Sequence, residues 1–248
     1  MSNPAGVPVR RRTVRRFLPP QHGAWAMLLV PWLAGVLDAG FHWAHLSLLG
    51  AWLTGYLLSY YVLQAVKTRR LSRFRPQLLL YGPSTAALSL LVVSTRPQLL
   101  AYAPAYALLL AVNVFYAWRR RERALLNDLT SVMQSCLMVF VAATVAGVGI
   151  GQVATAFAAV LLYFTGTVLY VKTMIRERGN ASYYRASVIY HVLALGAAAF
   201  LGIPIAAVFV LLLIRAAVLP RYRLTPGHVG IIEMIASVLV LITAVAAR

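Results

Sequence analysis

The chain has 248 residues, of which 61% are hydrophobic and 11% are charged, and its formal net charge is +18. A soluble domain of this length would carry a charged coat around one core, but here the charges form short clusters between long apolar runs. This pattern excludes an ordinary soluble enzyme and predicts an all-α, multi-pass integral membrane protein. The single cysteine, Cys136, lies inside an apolar run, which excludes a disulfide framework and a cysteine metal site.

The apolar runs predict about nine transmembrane helices. They cover residues 22–39, 45–66, 77–95, 98–118, 129–147, 153–171, 184–201, 203–219 and 228–247. The turns STRPQ at 94–98 and LGIP at 201–204 each predict an antiparallel helical hairpin. Residues 1–18 are predicted to form a basic, disordered tail without a cleaved signal sequence, and residues 19–248 a single transmembrane domain.

The basic residues predict the orientation of this bundle, because cytoplasmic loops collect Lys and Arg. With nine spans and a cytoplasmic N-terminus, 21 of the 23 basic residues fall on the cytoplasmic side, and only Arg96 and Arg248 fall outside. We therefore expect the N-terminus inside, the C-terminus outside and a location in the bacterial inner (cell) membrane. Basic loops facing an anionic leaflet account for the high net charge, so we expect no nucleic-acid partner.

The segment at 60–77, YYVLQAVKTRRLSRFRPQ, is the first polar candidate on the predicted cytoplasmic face. Its cations include Lys67, Arg69 and Arg75, and ammonium and guanidinium groups suit a phosphate or diphosphate head group. The alternative is that they only orient the protein and contact lipid phosphates.

The segment at 118–132, WRRRERALLNDLTSV, places two short polar side chains before an apolar run. Asn127 or Asp128 can cap the fifth helix, and a catalytic role for Asp128 is the other interpretation. A Mg²⁺ site would need several oxygen ligands, and one acid is too few. We therefore predict no cofactor, with Mg²⁺ as the alternative.

The segment at 163–191 is the richest in polar side chains. On a continuing helix Tyr170, Thr173 and Glu177 recur at intervals of three and four, while Lys172 and Arg176 lie four apart on a neighbouring stripe. The residues Arg178-Gly179-Asn180 predict the end of this helix and a turn.

Two further polar residues are predicted to lie within helices. His191 follows the turn by about two helical turns, where an interhelical hydrogen bond is the simple alternative to a functional role. Glu233 is an acid near the start of the last helix, and an ion pair with an arginine such as Arg215 is the alternative to a site.

The stretch PPQHGAWAMLLVPW at 19–32 begins the first apolar run with a polar corner. Gln21 and His22 are predicted at the cytoplasmic end of the first helix, where they can face the same cavity as Lys172 and Glu177. The alternative is that they cap the helix and Trp25 anchors it in the head-group zone.

Three of these stretches, PPQHGAWAMLLVPWLAG, RRRERALLNDL and YVKTMIRERGN followed by YH, resemble the YwiC-like family of bacterial integral membrane proteins. The resemblance covers most of the chain past residue 17. It implies a multi-pass membrane protein and says little about chemistry.

A more distant resemblance is to the UbiA superfamily of intramembrane prenyltransferases. Nine helices, polar loops after helices two and six, the stretch FYAWRRR at 115–121 and the tail Arg-Phe-Arg-Pro at 73–76 look like that superfamily. It implies a UbiA-like bundle acting on a prenyl diphosphate through Mg²⁺. However, Ser59, Tyr60, Leu63 and Lys67 stand where its first aspartate motif is expected, so Mg²⁺ chemistry of that kind is in doubt.

Three functions remain open from the sequence: an enzyme modifying an isoprenoid, quinone or phosphate-bearing lipid, a non-catalytic lipid-binding protein or assembly factor, and a small-solute transporter. The expected partners are membrane lipids, and the sequence leaves the oligomeric state open. The candidate proton carriers or catalytic residues are His22, Asp128, Glu177 and His191. The candidate substrate-binding residues are Gln21, Trp25, Lys67, Arg69, Arg75, Asn127, Tyr170, Lys172, Arg176 and Glu233.

Overall fold

A computed structural model describes residues 17–19 and 24–246 of the chain. These residues form α-helices and short 3₁₀ segments. The helices are α1 (Ala24–Ala39), α2 (Ala44–Thr68), α3 (Arg75–Thr95), α4 (Ala103–Trp118), α5 (Leu125–Cys136), α6 (Met138–Ala146), α7 (Ala154–Ile175), α8 (Ala181–Leu201), α9 (Ile203–Val218) and α10 (Pro226–Ala246). The 3₁₀ segments are Leu71–Phe74, Pro97–Tyr102 and Leu219–Arg221.

Eight helical segments in the described part of the chain are long and apolar enough to cross a membrane, and α1 is a shorter apolar helix. The helices α5 and α6 together make one of the eight, Leu125–Ala146, with a single interrupting residue at Leu137. An all-helical chain suits a bilayer because a helix satisfies its backbone hydrogen bonds internally. The prediction of an all-α membrane bundle is confirmed, and the predicted runs match the helices to within a few residues at most ends.

The bundle has a buried centre and lipid-facing flanks. In the most apolar window of α5–α6, 56% of the residues are buried, and in that of α7 44% are, against 6% in the segments containing α3 and α4. α7 packs against α1, α5, α8 and α10, and α1 packs against α6 and α10. On α3, Leu79 and Leu90 are 63% and 71% exposed, which is the expected state of leucines that contact lipid tails.

Direct packing of the two helices was predicted for both hairpins, and for one of them the prediction is wrong. α8 and α9 pack against each other directly across Gly202, as expected. In contrast, the 3₁₀ segment Pro97–Tyr102 separates α3 from α4, and α4 packs against α2 and α5 instead. A turn that contains Pro predicts a change of direction, but it does not determine which neighbour the next helix packs against.

Polar side chains fasten α6 at the end of the bundle that holds the α2 N-terminus. The ring nitrogen Nε2 of His45 lies 2.9 Å from the carbonyl oxygen of Ala142, and Nε of Arg96 donates to the carbonyl of Val145 at 2.9 Å. Val145 is one of the last four residues of α6, whose carbonyls lack partners within the helix, so the contact with Arg96 satisfies an acceptor that would otherwise be unpaired at membrane depth. The contact with Ala142 gives the buried His45 ring a hydrogen-bond partner.

Gly35 sets the close approach of α1 and α6. A Cβ atom at Gly35 would lie 2.6 Å from the carbonyl oxygen of Val139 and 2.8 Å from Cβ of Ala142. We expect Gly35→Ala to lower the thermal unfolding midpoint of the protein in detergent micelles, because overpacking typically costs about 1–3 kcal/mol.

Gly82→Ala is the matched control, since a Cβ at Gly82 in α3 meets no atom within 4 Å. It should leave the midpoint unchanged or raise it slightly, because Ala favours a helix over Gly by about 1 kcal/mol. Equal midpoints for Gly35→Ala and Gly82→Ala would contradict the tight contact between α1 and α6.

Candidate functional site

The loops that carry most of the basic residues meet at one end of the bundle, called here the basic end. It consists of residues 69–74, 119–124, 176–180 and 219–225 together with the adjoining helix ends. Arg178 Nη2 donates to the carbonyl of Leu224 at 3.1 Å, which joins the last two of these loops. Among the described residues, Arg96 is the one basic side chain at the opposite end.

Lys67 at the end of α2 is paired with an acid from the next basic loop. Its Nζ lies 2.6 Å from Oε1 of Glu122, with the two side chains 39% and 31% exposed. Partial burial raises the pKa of Glu122, but the hydrogen bond and the charge of Lys67 outweigh it, so that this pKa lies below its usual value. The pair therefore stabilises the fold at neutral pH, and this contribution is lost as the pH falls through the lowered pKa.

Lys172 of α7 makes the more buried ion pair. Its side chain is 7% exposed, and its Nζ lies 2.7 Å from Oδ2 of Asp128 and 2.6 Å from the carbonyl oxygen of Arg123, which accepts a hydrogen bond. A buried ammonium group needs such partners because leaving it unpaired is costly. Both lysines that we predicted to contact phosphate are thus held by carboxylates.

The start of α5 differs from the sequence prediction. The helix begins at Leu125 rather than near residue 129, and its N-cap position is Ala124, without a side-chain cap. The prediction that Asn127 or Asp128 caps this helix is therefore wrong. Instead Asp128 lies in the first turn and Asn127 Nδ2 donates to the carbonyl of Glu122 at 2.8 Å.

The end of α7 also differs from the prediction of a continuing helix. α7 ends at Ile175, so Glu177 lies in the turn, where its Oε2 accepts from Nδ2 of Asn180 at 3.0 Å. Arg176 is exposed, whereas Lys172 is buried, so the two do not share an inward stripe. The predicted stop is confirmed: Gly179 has a φ of +81°, and Asn180 caps α8 by accepting from the backbone of Ser182 and Tyr183.

A second polar group lies inside the bundle, between α7, α8, α9 and α10. Arg215 of α9 and Glu233 of α10 form a salt bridge in which their side chains are 7% and 13% exposed. Thr167 Oγ1 donates to Oε2 of Glu233 at 2.7 Å, and Tyr163 OH donates to the backbone carbonyl of Glu233 at 2.8 Å. The alternative prediction for Glu233, an ion pair with Arg215, is confirmed.

Tyr170 and His191 border this salt bridge. The guanidinium carbon of Arg215 lies 4.2 Å from the centroid of the Tyr170 ring, in cation–π contact. His191 Nδ1 lies 2.7 Å from the carbonyl oxygen of Ser187. Five buried polar atoms here have no hydrogen-bond partner among the described residues: Nε and Nη2 of Arg215, OH of Tyr170, Nε2 of His191 and Oγ of Ser187.

The two polar groups lie on different faces of α7. Tyr170 and Lys172 are two residues apart, which is about 200° around a helix. Lys172 contacts the α5 side of the bundle through Asp128, and Tyr170 contacts the α9 side through Arg215. The candidate residues are therefore brought into two groups rather than one cavity.

A surface pocket of about 310 Å³ opens at the basic end beside the second group. It is called here the mouth pocket, and it is lined by Thr173, Gly179, Asn180, Ala181, Tyr184, Pro220 and Arg221. Thr173 lies one turn of α7 from Tyr170, and Tyr184 lies one turn of α8 from Ser187. The mouth pocket is thus next to the buried Arg215 along two helices.

The remaining predicted site residues lie away from both groups or outside the described part of the chain. Arg69 and Arg75 are exposed at the ends of the α2–α3 connection. Trp25 is half-buried and meets Tyr56 of α2 edge-on, with ring centroids 6.3 Å apart. Gln21 and His22 lie outside the described residues, so the predicted contact of His22 with Lys172 and Glu177 stays a prediction.

Comparison with known proteins identifies the family. The family model described as YwiC-like protein matches residues 18–143. The chain belongs to the YwiC-like family. An uncharacterised protein of Haemophilus influenzae is 33% identical over 86% of this chain and 90% of its own length. The uncharacterised protein YwiC of Bacillus subtilis is 33% identical over 73% of this chain and 76% of its own length. No solved structure gave a significant match.

Sequence reasoning missed several residues of this YwiC-like protein that surround the candidate site. Arg215 was considered only as a partner for Glu233, although a lone charge within VLLLIRAAVL is itself a signal for a membrane site. Thr167, Tyr163 and Arg221 carry no comparable signal, because hydroxyls and loop arginines are common in such proteins. Among the described residues no group of three or more His, Cys, Asp or Glu side chains can hold a metal ion.

The two ion pairs at the basic end should differ in their contribution to stability. We expect Asp128→Asn to lower the free energy of unfolding by roughly 1.5–3 kcal/mol, because it removes the negative charge beside the buried Lys172 ammonium. Glu122→Gln should cost less than about 1 kcal/mol, since its pair with Lys67 is partly exposed.

Thermal or denaturant unfolding of both variants in the same micelles measures the difference. A loss in Glu122→Gln as large as that in Asp128→Asn would show that burial of Lys172 does not control the stability of this end.

Proposed function

We propose that this multi-pass membrane protein binds a phosphate-bearing lipid, with the head group in the mouth pocket and the apolar tail against α9. The basic end then faces the cytoplasm of a bacterial cell, and the protein lies in the inner membrane. Binding rather than catalysis is the function proposed, and an isoprenoid phosphate and a phospholipid both belong to this ligand class.

The observation that carries the proposal is the composition of the mouth pocket. It joins the N-terminus of the 21-residue helix α8 to the guanidinium group of Arg221. The helix dipole favours an anion at a helix N-terminus, here one at which Asn180 already caps the N–H groups of Ser182 and Tyr183, and arginine binds phosphate oxygens in pairs. Among the described residues that line the pocket none is an acid, and the neighbouring carboxylate of Glu177 is engaged by Nδ2 of Asn180.

The surface next to the pocket suits the tail of a lipid. Leu211, Ile214 and Val218 follow one stripe of α9 at helical spacing, and they are 55%, 52% and 38% exposed. The stripe ends near the mouth pocket, since Pro220 and Arg221 lie two and three positions after Val218. A polar pocket that continues into an exposed apolar stripe is complementary to an amphiphile rather than to a free phosphate ion.

Lys67 and Lys172, which were expected to bind the head group, instead connect structural elements. Their pairing with Glu122 and Asp128 removes them as free cations. It joins α2 to the loop between α4 and α5, and α7 to the first turn of α5. The positive groups assigned to the head group are therefore the Arg221 guanidinium and the dipole at the N-terminus of α8.

A lipid-binding measurement with a matched arginine variant tests the proposal. We expect purified protein in a neutral detergent to retain phosphatidic acid over a neutral diacylglycerol of the same chains in native mass spectrometry. Arg221→Gln should weaken this binding about tenfold, the effect of losing roughly 1.4 kcal/mol of charge-assisted hydrogen bonding.

Arg223→Gln is the control, because Arg223 is an exposed arginine of the same loop that does not line the pocket. Equal loss of binding in Arg221→Gln and Arg223→Gln would reduce the effect to general surface charge. Equal retention of diacylglycerol and phosphatidic acid by the unchanged protein would contradict a phosphate site altogether.

A further inference from the structure

We infer that Arg215, Tyr170 and His191 form a second ligand site, inside the membrane-spanning bundle, which binds an oxyanion of the carboxylate or phosphate class. This site is separate from the mouth pocket, and the inference does not rest on the proposed head-group function. It rests on the buried polar atoms that the protein itself leaves without partners.

Arg215 supplies the main argument. Its Nη1 is paired with Oε1 of Glu233, whereas Nε and Nη2 are buried and have no partner in the described part of the chain. Nε and Nη2 form one edge of the planar guanidinium group, and their parallel N–H bonds match two oxygens of one carboxylate or phosphate. Arg215 is only 7% exposed, so this two-donor edge is buried and still has no partner.

Glu233 does not compete for this free edge. One of its carboxylate oxygens is taken by Arg215 Nη1, and the other accepts from Thr167 at 2.7 Å and lies 3.3 Å from Tyr163 OH. Both carboxylate oxygens of Glu233 therefore have partners, whereas two of the three guanidinium nitrogens of Arg215 have none. Buried donors without partners are costly, so native proteins rarely retain them without a ligand or ordered water.

Tyr170 and His191 add a hydrogen-bond donor and a hydrogen-bond acceptor to the site. The Tyr170 ring lies against the guanidinium group, and its hydroxyl has no partner among the described residues. His191 Nδ1 must carry a hydrogen to bond the Ser187 carbonyl at 2.7 Å, so Nε2 of the neutral ring is an acceptor. A phosphate that keeps one proton can accept from Arg215 and Tyr170 and donate to His191, whereas a carboxylate can accept from Arg215 and Tyr170 alone.

Gly166 allows the His191 ring to approach the backbone of α7 closely. A Cβ atom at this position of α7 would lie 3.0 Å from His191 Nε2 and 3.2 Å from Cε1 of Tyr190. Any larger residue would obstruct the free nitrogen. The mouth pocket, one helical turn away along α7 and α8, is the nearest opening described above.

The oxyanion can come from a lipid or from solution, and the experiment separates the two sources. Purified full-length protein in maltoside micelles is titrated with inorganic phosphate and acetate in one arm, and with phosphatidic acid and oleate in the other, while the thermal unfolding midpoint is recorded. We expect at least one of these probes to raise the midpoint by several degrees, because a ligand that binds only the folded state stabilises it. A response in the first arm alone identifies a small anion, and one in the second alone identifies an acidic lipid.

Three variants locate the response. Arg215→Lys keeps a cation opposite Glu233 but lacks the two-donor edge, so it should raise the concentration needed for half of the shift at least tenfold. Gly166→Ala should weaken the response severalfold through His191, whereas Gly196→Ala, where a Cβ meets nothing within 4 Å, should not. Arg221→Gln should leave the response to the small anions unchanged, which separates this site from the mouth pocket.

Several results overturn the inference. They are no stabilisation by any of the four probes, an unchanged response in Arg215→Lys, and a response to small anions that disappears in Arg221→Gln. If Arg215→Lys does not fold, Tyr170→Phe decides the question, because it keeps the ring under the guanidinium group and removes only the free hydroxyl. A Tyr170→Phe response equal to that of the unchanged protein overturns the inference, and a severalfold weaker one supports it.

Discussion

Polar groups within a bilayer need partners inside the protein, and this constraint governs the structure. It makes every described span helical, since a helix satisfies its own backbone. It also explains why carbonyls near the end of α6 receive His45 and Arg96, and why Lys172 lies against Asp128 and a backbone carbonyl. Against this background the partnerless edge of Arg215 is an exception, and exceptions of this kind are where a ligand is expected.

The helix α7 connects these features. Its apolar residues, including Ala159, Val160 and Phe164, lie in the buried centre of the bundle. Near the basic end its opposite faces carry different polar contacts, Lys172 toward α5 and Tyr170 toward Arg215. The salt bridge on the α5 side joins structural elements, whereas the group around Arg215 retains unpartnered donors. Stability and ligand binding are thus assigned to different faces of the same helix.

The sequence predicted the spans well because hydrophobic length is a local property that the bilayer fixes. It also predicted that the basic loops share one end, since alternating loops of a multi-pass chain alternate sides. The ion pairs between distant residues were harder to predict. Lys67 and Lys172 were predicted to bind a phosphate, yet both are paired with acids. Their partners, Glu122 and Asp128, lie 55 and 44 positions away in the chain, and only tertiary packing brings them together.

The other errors in the site prediction come from the positions at which helices begin and end. Asp128 looked like a cap because it precedes an apolar run, but α5 begins three residues earlier, at Leu125. Glu177 looked like part of an inward stripe, but α7 ends two residues before it, at Ile175. Each shift of a boundary changes which way a side chain points, so a polar site at a helix end is difficult to predict from periodicity alone.

A lipid phosphate in the mouth pocket would be visible in an experimental density map of the protein in lipid nanodiscs. An antibody fragment bound to the opposite end of the bundle would provide the mass needed for imaging. The account predicts phosphate-sized density between the N-terminus of α8 and Arg221, continuous with a chain along Leu211, Ile214 and Val218. A mouth pocket that contains only solvent, with ordered lipid head groups elsewhere on the surface, would contradict it.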